Sequence, residues 1–384
     1  MSKHSDPKGY ARFQELLAPA GIVINGSNEW DPQIHDQRLF RRVIQQGTLG
    51  LGEAYMDGWW DCERLDELMS RSLRAGLLGA VRNNLRFLLF FGFSRLFNLQ
   101  SRKRAFIVGE KHYDIGNDIF VAMLDPYMNY SCGYWEEAQD LTKAQEHKME
   151  MICRKLQLER GMHVLDVGCG WGGLSQWMAE RHGVKVTGIT ISSEQADFAR
   201  QRCRDLPVRI DLTDYRNLEG RFDRIVSVGM FEHVGPKNYQ TYFRVLRSVL
   251  EAAGIFLLHT IGAGEGGYVT DRWIEKYIFP NGVLPPPQAI VNPCEGLFTI
   301  EDWHNIGADY DPTLMAWVHN FSDAWPSLKD RYSERFKRMF DYYLLACAGA
   351  FRSRDNHLWQ IVLSAHGLEG GYRAERWSRE PGYE

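Results

Sequence analysis

The sequence predicts an α/β fold: a Rossmann-like, mostly parallel sheet with helices on both faces, joined to a small, mainly helical N-terminal domain. Three observations carry this. From about Lys111 onward, short apolar runs alternate with stretches of helical period. A glycine-rich turn, Gly168, Gly170 and Gly173, stands between the first apolar run and the stretch that follows it. The first hundred residues show helical spacings instead: Arg38–Gln46, Leu65–Gly76 and Leu85–Leu99 place apolar side chains three and four apart.

Taken in order, GTLGLGEAYMDGWWDC separates the first two helical segments and is rich in glycine and aromatics. The basic run Ser101–Arg104 marks a boundary. A helical stretch over Leu141–Leu158 leads to Gly161, and His163–Val167 reads as a buried strand. Val184–Thr190 is a second strand, after which Ser192 and Gln195 fit a capping box opening a helix through Cys203. Val208–Leu212 and Phe222–Gly229 are the third and fourth strands, and a helix around Tyr239–Leu250 precedes a fifth, Ile255–Thr260. Strands alternating with helices imply a parallel sheet covered on both faces, with ligands bound beyond the C-terminal strand ends. With 384 residues, the chain exceeds one ordinary core. The expected division is residues 1–98 as a helical domain, 99–111 as a basic linker and 112–384 as the sheet domain.

Composition excludes several classes. A net charge of −4 gives no whole-chain attraction to nucleic acid. Met1–Phe13 is polar and has no apolar signal-peptide core. Seven cysteines, none in a CxxC pair, argue against a disulfide framework or structural zinc and point to a reducing cytoplasm. The longest apolar segment, Leu85–Leu99, is shorter than the roughly 20 residues a membrane span needs, and Arg86 and Arg95 interrupt it.

The glycine turn VLDVGCGWGG suits either a dinucleotide or S-adenosylmethionine. A dinucleotide site expects an acid at the end of the second strand to hold the ribose. Here that strand ends in Gly188, Ile189 and Thr190, and no acid comes before Glu194. Asp166, two residues before the first glycine, matches instead the D-x-G-x-G pattern of class I methyltransferases. The fold class is therefore the class I S-adenosylmethionine methyltransferase fold.

GLGEAYMDGWWDC, HYDIGNDIF, YSCGYW, VLDVGCGWGG, GITIS, SVGMFEHVG, LLHTIG, YIFPNG, ADYDPTLMAW and YSERFKRMFDYYLLACAGAF run from about Gly47 to Arg354. On these segments the chain resembles the cyclopropane-fatty-acyl-phospholipid synthases and, more distantly, the mycolic acid cyclopropane synthases. The resemblance implies transfer of a methylene, derived from the S-adenosylmethionine methyl group, to the cis double bonds of phospholipid acyl chains. It implies that Tyr130 and Ser131 serve the methionine portion of the cofactor, and that Gly168 and Gly170 line the loop under the nucleoside. Thr190, Ile191 and Gln195 fall at the ribose, and Asp214 and Tyr215 at the adenine. Thr213 stands where the family has glutamine. It further implies a homodimer, and a bicarbonate ion held by Cys132, Glu232, His259, Tyr310 and the Ile261 backbone.

The chemistry explains what such a site needs. An isolated alkene is a weak nucleophile, so the methyl donor must be held close and aimed. Methyl attack leaves a carbocation, which water would quench and aromatic faces can stabilise. A base then removes a proton from the new methyl group and the ring closes; a free carboxylate beside the cation would be trapped as an ester. No step needs a metal, and no metal-ligand spacing is present. Read from the residues alone, Cys132 is more often a small buried hydrophobe and Tyr310 more often a packed core ring. Cys347 lies among small residues that suit close helix packing, although it is kept among the candidates.

The substrate lies in a bilayer, so the enzyme must dock on one, associating from the cytoplasm with the inner face of the membrane. Arg71–Lys111 holds nine Lys or Arg and one acid, Glu110, interleaved with Phe and Leu. Such a segment can lie in the interface, each cation adding about 1 kcal/mol near an anionic surface. Packing against protein is the competing reading. Tyr268–Pro287, rich in aromatics and proline, reads as a lid or acyl-channel wall. Two rival functions stay open: an O- or N-methyltransferase of a small molecule, and a lipid-binding protein without catalysis. Replacing Phe90, Phe91 and Phe93 with Ser is expected to weaken liposome binding; unchanged binding by the folded variant assigns the segment to packing.

Overall fold

The computed structural model describes residues 7–77, 116–264, 271–374 and 376. Leu85–Leu99, Ser101–Arg104 and most of the basic stretch to Lys111 lie outside the described residues. In chain order the elements are α1 (Pro7–Leu17), β1 (Gln33–Ile34), α2 (Arg38–Gln46), α3 (Thr48–Met56), β2 (Trp60–Asp61) and α4 (Leu65–Arg74). Next come α5 (Asn117–Met123), α6 (Leu141–Lys155), β3 (His163–Val167), α7 (Gly173–His182), β4 (Lys185–Thr190), α8 (Ser193–Arg202), β5 (Val208–Leu212) and β6 (Phe222–Val228). The chain continues through α9 (Tyr239–Val249), β7 (Leu250–Ala263), α10 (Arg272–Tyr277), α11 (Gln288–Cys294), β8 (Thr299–Asn305), α12 (Tyr310–Leu328), α13 (Glu334–Arg352) and β9 (Asn356–Ser364). None of the described helices is long and apolar enough to cross a membrane.

Two compact units result. The first is built from Met1–Leu99, Val269–Gly282 and Tyr310–Asn356, the second from Gln100–Tyr268, Val283–Asp309 and His357–Glu384. In this grouping two later segments, Val269–Gly282 and Tyr310–Asn356, go with the N-terminal helices. Close packing and ion pairing are the reason. A Cβ on Gly349 of α13 would stand 2.5 Å from the Asp66 carbonyl oxygen and 2.7 Å from Met69 Cβ, so α13 lies against the backbone of α4. Arg352 at the end of α13 binds Asp311 of α12 through two nitrogens, at 2.8 and 2.9 Å, and Asp66 of α4 at 2.5 Å. The glycine-rich segment after α2, left without a structural assignment by its sequence, is the helix α3. Its Gly52 lets the Trp273 ring of α10 approach to where a Cβ would stand 2.5 Å from Cδ1. Trp273 is fully buried, its ring 4.7 Å from that of Tyr342, so this residue of Tyr268–Pro287 packs in the core of the first unit. Glu53 of α3 accepts from Arg42, Lys276 and Tyr277, and these partners outweigh its burial and hold its carboxyl down at about 2.

The second unit carries a seven-stranded sheet in the order β5-β4-β3-β6-β7-β9-β8. Four pairings, β4/β5, β3/β4, β3/β6 and β6/β7, are parallel, and β8/β9 is antiparallel. The pleat sends neighbouring residues to opposite faces. Leu165, Ile225, Phe256 and Leu258 pack with α9 and α11, whereas Val164, Val226, Ile255 and Leu257 pack with α6 and α7. This is the two-faced sheet expected from the sequence. The five strands expected from it fall within a few residues of β3 to β7; β8 and β9 were not expected, and the chain between them from Tyr310 onward belongs to the first unit.

Gly349→Val is expected to lower the unfolding free energy of the first unit by about 1–3 kcal/mol through overpacking, measured by urea titration. An unchanged midpoint would place α13 further from α4 than the geometry does.

Candidate active site

The C-terminal edge of the parallel strands gathers most of the residues singled out above. Beyond β3, Gly168 and Gly170 have φ of +85° and +54°, a region that side chains with a Cβ avoid. Nothing lies within 4 Å of where a Cβ on Gly170 would stand, and the same holds for Gly229, φ +66°, beyond β6. Gly173 is needed for another reason: a Cβ there would sit 2.0 Å from the Tyr127 carbonyl oxygen. The loop is tied to the next strand by N–H groups of Gly168 and Cys169, both donating to the Ile189 carbonyl at 2.9 Å. Asp166, one strand residue earlier, accepts from the Ser175 hydroxyl at 2.7 Å, and burial pushes its carboxyl up to about 6.

At the end of β4, the Thr190 hydroxyl donates to Gln195 Oε1 at 3.0 Å and accepts from the Ser192 N–H. Ser192 caps α8 by accepting from the Gln195 N–H, so half of the expected capping box forms. The Gln195 side chain goes to Thr190 instead of returning to Ser192, which locks the β4–α8 corner. Ile191 between them is half-buried. Beyond β5, Asp214 is buried and paired with Arg216 through two nitrogens at 2.7 and 2.6 Å, beside the buried Tyr215. These positions suit a nucleoside: two unobstructed glycine backbones, a hydroxyl corner and a buried acid follow one another along the edge.

The YSC segment lies in the same unit. The Tyr130 ring meets Phe120 edge-on at 5.1 Å. Ser131 is held twice from α6: Lys148 Nζ donates to its hydroxyl at 2.9 Å, and Gln145 Nε2 to its carbonyl at 2.7 Å. Lys148 also donates to Asn129 Oδ1 at 2.9 Å. Cys132 is fully buried, with its thiol donating to the Gly133 carbonyl at 3.1 Å.

Glu232 sits in a single 3-10 turn after β6, and His259 lies in β7 opposite Val228. The Ile261 N–H donates to Glu232 Oε1 at 2.6 Å, so the role the structure gives to Ile261 is to hold this carboxyl. Burial raises Glu232 to about 7. Burial also holds His259 well below its ordinary value, helped by the charges of Lys148 and Lys155. Glu232 Oε2 and His259 Nε2 are buried and have no hydrogen-bond partner among the described residues. Leaving such atoms bare costs about 1–3 kcal/mol each, so the pair marks a place built to receive a polar group.

The remaining candidates lie in the first unit. Tyr310 opens α12, buried with its ring 4.4 Å from Phe351 and 6.1 Å from Trp317. Cys347 lies half-buried on α13, two residues from the close approach at Gly349, and desolvation pushes its thiol up to about 12. The sequence reading missed Lys148, Lys155, Gln145 and Gln360, all essentially buried. A signal was present for the lysines: they fall on the helical stripe that begins Leu141, Ala144 and continues through Met151, where apolar residues belong.

Burial depresses Lys148 to about 8, against roughly 10.4 in an unfolded chain. Between these values the unfolded chain binds more protons, so this residue makes stability rise with pH there and contributes no slope below. The urea unfolding free energy of the native chain minus that of Lys148→Met is expected to climb by about 1 kcal/mol per pH unit between about pH 8 and 10. A flat difference would mean that Lys148 keeps its ordinary proton affinity.

Comparison with known proteins agrees with this geometry. The profile of the mycolic acid cyclopropane synthetase family matches residues 100–361. The chain is 57% identical over 371 residues to the cyclopropane-fatty-acyl-phospholipid synthase of Escherichia coli K12, covering 97% of each chain. Among solved structures it is similar to a cyclopropane synthase from Mycobacterium tuberculosis, with 29% identity, a TM-score of 0.63, and coverage of 67% of this chain and 97% of that one. A mycolic acid cyclopropane synthase complexed with SAH and CTAB gives 30% identity, a TM-score of 0.62 and the same coverage. The sheet is that of a class I S-adenosylmethionine-dependent methyltransferase, and the chain belongs to the mycolic acid cyclopropane synthetase family.

Proposed function

We propose that this protein is a cyclopropane-fatty-acyl-phospholipid synthase, converting cis double bonds of membrane phospholipid acyl chains into cyclopropane rings. S-adenosylmethionine, when bound, supplies an electrophilic methyl group. The observation that carries the reading is the pair of buried, unpartnered atoms Glu232 Oε2, in the turn after β6, and His259 Nε2, on the neighbouring parallel strand β7.

The chain's own residues have three tasks. Gly168, Gly170, Thr190, Gln195 and Asp214 provide the cofactor surface, and Tyr130 and Ser131, braced by Lys148, hold its methionine end. Aromatic and apolar walls keep water from the positive charge that develops on the acyl chain. Glu232 and His259 hold a base where the new methyl group must lose its proton. Bicarbonate fits them by its chemistry, with a hydroxyl for Oε2 and oxygens for Nε2–H, and it would supply a base that cannot trap the cation as a stable ester. The buried lysines Lys148 and Lys155 favour an anion there, since charges act strongly in a dry interior. Ile261 keeps Glu232 turned so that one oxygen is spoken for and the other is available.

Docking on the inner membrane face through the basic, aromatic stretch Arg71–Lys111 completes the reading.

Incubating the protein with S-adenosylmethionine and liposomes of cis-monounsaturated phospholipid is expected to yield lipid that gains one CH2 and loses its double bond, detected by mass spectrometry. Glu232→Gln should lower the rate by at least ~100-fold, and depleting bicarbonate should slow the native enzyme reversibly. No lipid product, with cofactor bound normally, would overturn the assignment.

A further inference from the structure

Behind His259 lies a line of buried polar groups that touches neither Glu232 nor the cofactor loop. Lys155, the last residue of α6, is fully buried. Its Nζ stands 2.9 Å from His304 Nδ1 on β8 and 2.7 Å from Gln360 Oε1 on β9. Gln360 is also fully buried, and its Nε2 stands 3.3 Å from His259 Nδ1 on β7. The line crosses three adjacent strands, β8, β9 and β7, with His304 and Gln360 opposite each other in the ladder.

The donor inventory gives this line a direction. A lysine amine has N–H groups to give, and His304 Nδ1 and Gln360 Oε1 accept them. With its oxygen turned to Lys155, the Gln360 amide must present its NH2 to His259. His259 Nδ1 then accepts, and a neutral imidazole that accepts at Nδ1 carries its single proton at Nε2. Nε2 is the ring atom left without a partner among the described residues.

We propose that Gln360 and Lys155 are positioning residues that fix the tautomer of His259, so that its Nε2–H is a permanent donor toward the polar group bound beside Glu232. The value of this donor for cyclopropanation rests on the function proposed above; the tautomer itself does not. A neutral histidine with no such backing could turn its lone pair toward an anion and repel it. Fixing the amide from behind removes that alternative without placing a further charge against the ring.

The test is nitrogen NMR of the full-length protein labelled with 15N-histidine, the His259 signal being assigned by its loss in His259→Gln. The native chain should show Nε2 protonated and Nδ1 bare. Gln360→Glu is nearly isosteric and keeps an acceptor for Lys155, but it offers His259 an acceptor in place of a donor. Nδ1 should then become protonated, with turnover at least 100-fold lower and S-adenosylmethionine affinity unchanged. Lys155→Met frees the amide to rotate; both tautomers should appear and turnover should fall about tenfold, which keeps the test available if the glutamate variant does not fold. A native His259 protonated at Nδ1, or an unchanged Nδ1 in Gln360→Glu, overturns the proposal. A changed tautomer with full turnover supports the relay and refutes instead the donor role of His259 in the function proposed above.

Discussion

Parallel pairing of β3, β4, β6 and β7 is the constraint on which the site depends. Every parallel strand delivers its next loop to the same edge, so residues far apart in the chain share one rim. The glycine turn follows β3, the Thr190–Gln195 corner follows β4, Glu232 follows β6 and His259 lies near the end of β7. An antiparallel arrangement of the same segments would send alternate loops to opposite edges. The sheet can run parallel because α6 and α7 cover one face and α9 and α11 the other, leaving each strand buried on both sides.

Within that frame α6 has a second role. Most of its buried face is apolar and covers the sheet, but Gln145, Lys148 and Lys155 interrupt the stripe. Burying a lysine costs several kcal/mol unless its donors are met, and here each amine has two acceptors: Asn129 and Ser131 for Lys148, His304 and Gln360 for Lys155. Burial holds Lys155 at about 7 and His304 at about 4. One lysine braces the YSC segment through Ser131, and the other is linked to His259 through Gln360, so a single helix supports two separate parts of the strand-end rim. The same low dielectric that makes these groups expensive to bury makes their field strong nearby.

The first unit is organised differently. It is assembled from three stretches of chain, closed by small residues and by charge pairs that span them. Gly52 and Gly349 each permit an approach that any side chain would block, and Arg352 joins α4, α12 and α13 through Asp66 and Asp311. This explains the glycine of LLACAGAF, where α13 meets the α4 backbone.

The sequence by itself determined what depends on local pattern. Strand and helix periods placed β3 to β7 and the helices between them, because the pleat and the helical turn impose periods of two and 3.6 on apolar residues. The Asp166–Gly173 motif identified the type of cofactor loop, and long, unusual segments such as GMFEHVG identified the family. Only the tertiary structure decided what depends on distant parts of the chain. It assigned α12 and α13 to the first unit, a matter of which surfaces fit. It showed that Gly173 answers to the Tyr127 backbone, and that Gln195 bonds Thr190 instead of closing its capping box. It also brought Lys155 to His304 and Gln360, 149 and 205 residues away, and Gln360 to His259. No periodicity records such a line of donors, because a hydrogen bond across a sheet constrains one atom at each end and leaves the residues between them free.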